Sequence, residues 1–275
     1  MQKIKTIFPI LMFLHAIAFA QVKQATTDSS FKFVKNVKGK FSLVNVDVLG
    51  NIYVITDNNK LKKLNSNGDS LSIFNEVKKY GTVSYLDVTN PLKVMLFYKN
   101  FSTAVFLDRQ LTFRNSINFK QQNIFKTKAI TTSYDNNIWL FDEQDFKLKK
   151  INATGIVLSQ TSDMRQLFDA APTTTTIIDY DNSVYLYDTQ KGFFIFDYYG
   201  SLKNQIVLKD WKNITVSNNT IFGIASDTLN SYEIKTQVQK KYTLPVFFKD
   251  TKNIIVQNGK VFLHRKTGID IYAIQ

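Results

Sequence analysis

Short apolar runs alternate with polar turns along this chain, and one three-residue run recurs six times. The copies are Ile52–Val54, Val94–Leu96, Ile138–Leu140, Val184–Leu186, Ile221–Gly223 and Val261–Leu263. Each follows a polar turn and begins 37 to 46 residues after the previous one. Short strands with a period near 40 residues are typical of a β-propeller, in which one repeat forms one four-stranded blade. The pattern therefore predicts an all-β, six-bladed β-propeller.

The first repeat shows the plan of a blade. Phe41–Val46 alternates apolar and polar residues as a half-buried strand does, and Gly50 in the next turn can adopt a positive φ. Ile52–Thr56 is predicted as the second strand, Lys60–Leu64 as the third and Leu71–Val77 as the fourth.

The last repeat ends at Gln275 directly after its third strand, so it lacks a fourth. A strand-like segment at Phe31–Val37 precedes the first repeat and has no other place in the plan. Pairing the two ends would remove two exposed sheet edges. We therefore expect residues 31–275 to form one domain, closed by strand 31–37 in the last blade. A degenerate seventh blade and an open arc are the alternatives.

Between the third and fourth repeats, Thr161–Pro172 is an insertion. Asp163 could cap a single helical turn, with Met164, Leu167 and Phe168 on one face. The segment is either a protruding contact element or a packed connection.

The N-terminus has the pattern of a secretory signal peptide. Lys3 and Lys5 precede an apolar run, and Ala18–Ala20 has the small-x-small form of a cleavage site. Residues 1–20 are therefore predicted as a signal peptide and residues 21–30 as a short lead. An uncleaved anchor is the alternative, although the run is short for a membrane span. No later segment is apolar enough to cross a bilayer.

Cysteine is absent from the chain. An exported protein without cysteine has no disulfides and no site for lipid attachment, so about 250 residues must be held by their core alone. The richness in Lys, Asn and Ile points to the periplasm of a diderm bacterium, where we expect the protein to reside.

The strand period and the placement of aromatic residues over 31–275 resemble six-bladed propellers of the NHL and TolB-like type. That resemblance implies a rigid disc with loop-lined faces. Periplasmic propeller subunits also serve secretion machinery in gliding bacteria, and the subunit that plugs the type 9 outer-membrane translocon is a specific candidate for this chain.

A catalytic site is hard to assemble from this sequence. His15 would leave with the signal peptide, and His264 alone cannot supply a zinc or iron ligand set. We expect His264 to be a loop or rim residue. The recurrent aspartates near the first turn of each blade are expected to bond their own backbone; they are Asp47, Asp87, Asp135, Asp179 and Asp181. The sequence therefore predicts a non-enzymatic protein with no cofactor and no metal.

The formal net charge is +13, of which Lys3 and Lys5 contribute two. Such an excess favours an acidic partner. One propeller face, built from the turns between second and third strands and from the connections between blades, gathers cations and aromatic residues. The candidate partner-binding residues are Lys60, Lys78, Lys79, Tyr98, Lys99, Phe125, Lys126, Lys128, Lys191, Trp211, Lys212, Phe248, Lys249, Arg265 and Lys266.

Two functions fit these observations. The first is a periplasmic interaction module that presents its basic, aromatic face to an envelope protein, such as an outer-membrane secretion translocon. The second is an enzyme or a small-ligand binder, for example of glycans, with its site at the central channel. Nucleic acid is a poor partner for an exported chain.

Overall fold

The computed structural model describes residues 31–275, and at Val77 and Lys78 it describes the backbone only. The predicted signal peptide and lead lie outside the described residues. Twenty-four strands form six four-stranded antiparallel sheets arranged as the blades of a propeller. Each copy of the recurrent apolar run forms the second strand of its blade, so the predicted six-bladed fold is confirmed. None of the helices between residues 31 and 275 has the length and apolar character of a membrane span.

The strands of the first half of the ring follow the chain in order. They are β1 (Phe31–Lys38), β2 (Phe41–Val46), β3 (Ile52–Thr56), β4 (Leu61–Leu64), β5 (Ser70–Phe74), β6 (Tyr85–Asp87), β7 (Lys93–Tyr98), β8 (Thr103–Asp108), β9 (Phe113–Asn118), β10 (Thr127–Thr132), β11 (Ile138–Asp142), β12 (Lys147–Ile151) and β13 (Val157–Gln160).

The second half completes the ring in the same way. Its strands are β14 (Thr174–Tyr180), β15 (Ser183–Asp188), β16 (Gly192–Phe196), β17 (Leu202–Ile206), β18 (Lys212–Ser217), β19 (Thr220–Ala225), β20 (Thr228–Glu233), β21 (Gln239–Thr243), β22 (Asn253–Gln257), β23 (Lys260–Arg265) and β24 (Gly268–Ile274). Short helices occur at α1 (Val77–Tyr80) and α2 (Met164–Leu167), with 3-10 turns at Lys99–Phe101, Phe119–Gln122 and Val246–Phe248.

The ring is closed by the N-terminal strand, as the sequence predicts. The sixth blade has the order β22, β23, β24, β1, and β1 pairs antiparallel with β24 from Phe31 opposite Ile274 to Lys38 opposite Gly268. Blades one to five are each built from four consecutive strands, β2–β5 through β18–β21. The two ends of the described chain therefore belong to one sheet.

Burial falls from the inside of each blade to its outer strand. The second strands are almost wholly buried; in β3, for example, residues Ile52–Ile55 are all inaccessible to solvent. The outer strands β5, β13, β17 and β21 are mostly exposed. The hydrophobic core is therefore divided into layers between neighbouring blades, such as the layer in which Val37 of β1 packs with Val44 and Val54 of the first blade.

Two sequence predictions need correction in the first blade. The third strand begins at Leu61 rather than Lys60, and the fourth strand ends at Phe74 rather than Val77. The chain then enters α1, which carries it to the second blade.

The insertion at 161–172 is a packed connection. Asp163 caps α2 by accepting a hydrogen bond from the backbone N–H of Arg165 at 2.9 Å. Met164 is fully buried, and Phe168 lies with its ring centroid 4.8 Å from that of Phe194. Leu167 is 46% exposed, so the prediction that it shares their face is wrong. A single helical turn is too short to carry three side chains into the same core.

Candidate functional site

The propeller presents two faces with different chemistry. The loop face is formed by the turns between second and third strands and by the connections between blades. The turn face is formed by the turns between first and second strands and between third and fourth strands. All the candidate partner-binding residues lie on or directly beneath the loop face, at the positions that the strand order gives them.

Six of the candidate lysines are exposed on the loop face: Lys79, Lys99, Lys126, Lys212, Lys249 and Lys266. Within residues 31–275 none of the six lies within ion-pair distance of a carboxylate. Lys60 is half-buried and is likewise free of an ion pair with the described residues. Lys78 lies in α1, where only its backbone is described. Exposed carboxylates on the same face, such as Asp57 and Glu76, are likewise outside the ion pairs of the described residues.

Three other candidate cations are engaged within the fold. Lys128 pairs with Glu143 at 3.3 Å, and Arg265 pairs with Asp270. Lys191 donates to the carbonyl oxygens of Ala170 and Ala171 in the insertion. These side chains hold loops together and have less freedom to meet a partner.

The three candidate aromatic residues Tyr98, Trp211 and Phe248 are buried. Tyr98 packs against Tyr80 with ring centroids 5.3 Å apart, and Phe248 packs against Phe31 at 4.9 Å. The backbone N–H of Trp211 donates to the hydroxyl of Tyr187 at 2.7 Å. Their rings belong to the core beneath the loop face and are not presented to solvent.

Two phenylalanines are exposed among the lysines. Phe101 is 54% exposed at the end of a 3-10 turn, and Phe125 is 48% exposed in the connection between the second and third blades. With Lys79, Lys99 and Lys126 they form what we call the basic sector of the loop face. This sector spans blades one to three and combines unpaired cations with apolar side chains.

Hydrogen bonds between loops hold the basic sector in place. The N–H of Phe119 donates to the carbonyl of Ser102 at 2.8 Å, which joins the connection carrying Phe125 to the turn carrying Phe101. The N–H of Glu143 donates to the carbonyl of Lys126 at 2.9 Å. A docking surface on bonded loops loses less conformational entropy on binding than one on free loops.

A close approach at Gly81 also positions the Phe101 ring. A Cβ added at Gly81, where φ is +74°, would lie 3.0 Å from that ring. The side-chain amide of Asn59 donates to the carbonyl of Gly81, and the N–H of Val83 donates to the Asn59 amide oxygen at 3.3 Å. The turn of blade one thereby supports the aromatic residue of blade two.

On the turn face, Asp47, Asp87 and Asp135 bond backbone N–H groups of their own turns, as predicted. Asp179 instead accepts from side chains outside its own turn, so the prediction is wrong for that residue. Asp47 is buried and accepts from the N–H groups of Leu49 and Asn51 at 2.9 and 2.8 Å. The Tyr53 hydroxyl also donates to Asp47 at 3.1 Å; burial, reinforced by that carboxylate, raises the Tyr53 pKa. Asp87 accepts from the N–H of Thr89 within its own turn. The carboxylates of Asp47 and Asp87 therefore accept hydrogen bonds that stabilise the fold.

The turn face also holds an aromatic cage that sequence reasoning missed. Lys150 Nζ lies 5.3, 5.2 and 4.9 Å from the ring centroids of Tyr134, Trp139 and Tyr198. It pairs with Asp135 at 2.7 Å, and Tyr134 stacks on Tyr198 at 4.9 Å. Burial raises the pKa of Asp135, but hydrogen bonds from Lys150 and the neighbouring turn outweigh it and leave that pKa lowered.

Asp179 anchors this cage from the fourth blade. It accepts from the Tyr198 hydroxyl at 2.7 Å, the Trp139 indole at 3.0 Å and the Ser133 hydroxyl at 2.6 Å. The cage therefore joins blades three and four, and the chain supplies its own cation. Tyr134 remains 68% exposed at the rim.

His264 is buried rather than at a loop or rim, which corrects the sequence expectation. Its Nε2 lies 2.9 Å from the carbonyl oxygen of Phe41. Burial lowers its pKa, opposed by the bond to Phe41 and assisted by nearby Lys252. A histidine held in this way within a blade seam has no access to a substrate.

Within residues 31–275 no group of three or more His, Asp and Glu side chains is placed to hold a metal ion. Surface clefts lie at two of the seams between blades in the described part of the chain. One, of about 330 Å³, lies between blades two and three, and the other, of about 320 Å³, lies between blades four and five beside Asp210 and Lys212.

Comparison with known proteins identifies the fold but no family. No family model matches the chain, and no curated protein matches it. Among solved structures, the chain is similar to a streptogramin B lyase, with 16% identity and a TM-score of 0.57 over 84% of this chain and 78% of the lyase.

Two further structures are similar over more of their length. Virginiamycin B lyase from Staphylococcus aureus has 11% identity and a TM-score of 0.60, over 89% of this chain and 100% of the lyase. The β-propeller domain of Swd1 from Myceliophteria thermophila has 8% identity and a TM-score of 0.61, over the same shares. An enzyme and a non-lyase propeller domain are thus equally similar, and the likeness extends to the fold alone.

Proposed function

We propose that this propeller is a non-enzymatic interaction module that binds an acidic protein through the basic sector of its loop face. The observation that carries the proposal is the exposure of Lys99 and Lys126 in the same loops as exposed Phe101 and Phe125. Lys79 adds a third exposed cation on this face, with its Nζ over the Tyr80 and Phe113 rings. Cations accelerate encounter with an acidic surface, and partly exposed aromatic rings supply anchors that become buried on binding. Bonded loops keep both in a fixed arrangement.

The rest of the surface supports binding over catalysis. His264 is buried and bonded to a backbone carbonyl, and the carboxylates of Asp47 and Asp87 accept hydrogen bonds from backbone N–H groups of their turns. The lyases that share the fold are enzymes, but at 11–16% identity the likeness is evidence of the fold and not of their activity. A rigid scaffold with charged loops is sufficient for partner binding.

The predicted signal peptide and the absence of cysteine favour the periplasm as the site of action. Within that compartment the partner we favour is an acidic surface of an outer-membrane secretion translocon, of the type 9 kind. Fractionation of cells expressing the full chain tests the compartment. Co-purification of translocon subunits with the tagged chain in mild detergent tests the partner.

The decisive test compares two triple variants with the same change in charge. One carries Lys79→Gln, Lys99→Gln and Lys126→Gln in the basic sector. The matched control carries Lys203→Gln, Lys240→Gln and Lys241→Gln on the exposed outer strands β17 and β21. Each immobilised protein is incubated with envelope extract, and the captured proteins are quantified by mass spectrometry.

We expect the basic-sector variant to lose its main partner by tenfold or more, while the control retains it. Capture by the unaltered protein should also weaken between 50 and 300 mM salt, because exposed charges are screened at short Debye length. Equal capture by both variants would contradict the proposal, as would a captured partner whose binding does not depend on salt.

A further inference from the structure

The cleft between blades two and three is lined by apolar residues and by one half-buried lysine. It has a volume of about 330 Å³ and is lined by Leu92, Phe106, Leu107 and Ala153. Leu92 is 65% exposed at the mouth, whereas Phe106 and Leu107 are buried beneath it. Leu92, Phe106 and Leu107 belong to the second blade. Ala153 belongs to the turn between β12 and β13 of the third blade.

Lys93 supplies the cation. Its Nζ lies 4.6 Å from the centroid of the Phe106 ring and donates to the carbonyl oxygen of Asn136. No carboxylate of residues 31–275 lies within ion-pair distance of it. Burial lowers the pKa of Lys93, and Asp135 and Asp87 oppose that effect only from a distance. Of the three N–H donors of this ammonium group, one has an acceptor among the described residues, and its charge meets an aromatic ring rather than a carboxylate.

The rim of the cleft carries a second cation and its partner. Arg114 pairs with Asp108 at 2.6 Å, and the other oxygen of Asp108 accepts from the N–H groups of Gln110 and Thr112. Because Asp108 is paired with Arg114, it does not pair with the ammonium group of Lys93. Asn115, whose side-chain amide donates to the carbonyl of Ala153, contributes a further polar group.

We propose that this cleft binds a small amphiphilic carboxylate, with the carboxylate on Lys93 and an apolar body against Leu92 and Ala153, the exposed apolar residues of its lining. A carboxylate forms a charge-assisted hydrogen bond with an ammonium group and compensates the charge that the fold leaves uncompensated. The apolar walls gain from covering by an aliphatic group. The proposal is independent of the basic sector, which lies on the opposite face.

The same chemistry could come from a free aliphatic acid or from the C-terminal residue of a peptide. Both present an apolar group next to a carboxylate. A cleft of this size holds a short aliphatic chain or one amino-acid side chain, so either ligand would fit.

The test uses four probes on the purified full chain with methyl-labelled Leu and Ala, observed by NMR. Hexanoate is compared with hexanamide, and acetyl-Gly-Gly-Leu with a free C-terminus is compared with its C-terminal amide. We expect the two carboxylates to shift the methyl signals of Leu92, Leu107 and Ala153, with dissociation constants on the order of 1–10 mM. The two amides should bind about tenfold or more weakly. Hexanoate binding tighter than the peptide indicates a free acid as the ligand, and the reverse indicates a C-terminus.

Two variants and one control locate the site. Lys93→Gln should weaken carboxylate binding by about tenfold to a hundredfold. Lys260→Gln, at the equivalent repeat position of the sixth blade, should leave it unchanged. Ala153→Phe fills the cleft without altering Lys93 and should abolish binding even if Lys93→Gln disturbs the seam. Equal binding of amides and carboxylates, an unchanged Ala153→Phe variant, or no carboxylate binding at 50 mM would each overturn the proposal.

Discussion

His264 of the last blade lies with its Nε2 2.9 Å from the carbonyl oxygen of Phe41, the first residue of the first blade's inner strand. Lys252 donates to the same carbonyl at 3.1 Å. The two residues that meet are separated by most of the described chain, so this contact fastens the ring beside the strand pairing of β1. His264, which the sequence predicts as a loop or rim residue, is therefore a closure residue.

This contact predicts a loss of stability in mild acid. Burial lowers the His264 pKa, so the folded state favours neutral histidine, whereas the unfolded chain titrates near 6.5. The stabilisation is fully present above about pH 6.5 and is lost as the pH falls below it towards the folded pKa. Urea unfolding of the described domain at pH 8 and pH 5 measures the effect.

The control is His264→Gln, which keeps a side-chain donor for the Phe41 carbonyl and does not titrate. Carboxylates elsewhere lose stability in acid in both proteins. The fall in unfolding free energy from pH 8 to pH 5 should therefore be smaller in the variant than in the unaltered chain. An identical fall in both would show that titration of His264 does not contribute to the loss of stability in acid.

The closing strand predicts a contrast between two phenylalanines on β1. Phe31 is 8% exposed and contacts Phe248, whereas Phe33 is 54% exposed. Phe31→Ala should lower the unfolding free energy by about 3 kcal/mol, since a buried ring is lost. Phe33→Ala, the matched control, should lower it by less than about 1 kcal/mol. Both are read from urea unfolding midpoints, and comparable losses would contradict the assigned register of β1.

The cage on the turn face predicts a coupled pair. Lys150 is 7% exposed, and its removal leaves Asp135 without its ion-pair partner. Lys150→Met should cost about 1–3 kcal/mol of unfolding free energy. Adding Asp135→Asn should recover part of that cost, because the second change removes the uncompensated charge. A double-mutant cycle by urea unfolding measures the coupling, and strictly additive losses would show that the two charges do not interact.

The repeat period was sufficient to predict the blades and their closure because each second strand must be apolar on both faces. Val54, Leu140 and Leu263 stand at corresponding positions for that reason. The role of Asp47 was equally predictable, because it bonds N–H groups within its own turn. Local chemistry repeated in each blade leaves a visible trace in the sequence.

Contacts between blades leave no such trace. Lys150, Asp179 and Tyr198 meet across a seam, yet no spacing in the sequence marks them as neighbours. Burial of the loop-face aromatics was also hidden, because a ring near a turn can point inwards or outwards. Trp211 points inwards.

Trp211 explains the one departure from the recurrent apolar run. Five copies end in Val or Leu, whereas the fifth blade has Gly223. A Cβ added there would lie 2.5 Å from Cε3 of Trp211, so the indole occupies the space that a larger side chain fills elsewhere. Restoring the repeat should therefore destabilise the protein.

We expect Gly223→Val to lower the unfolding free energy by about 1–3 kcal/mol through overpacking. Trp211→Ala alone should cost about 3–5 kcal/mol, because it leaves a cavity. Combined, the two changes should cost at least about 1 kcal/mol less than the sum of the single effects, since valine enters the space that the indole vacates. Urea unfolding of the four proteins gives the coupling energy. A double variant as unstable as the sum would mean that Gly223 is required by the backbone of β19 and not by the Trp211 ring.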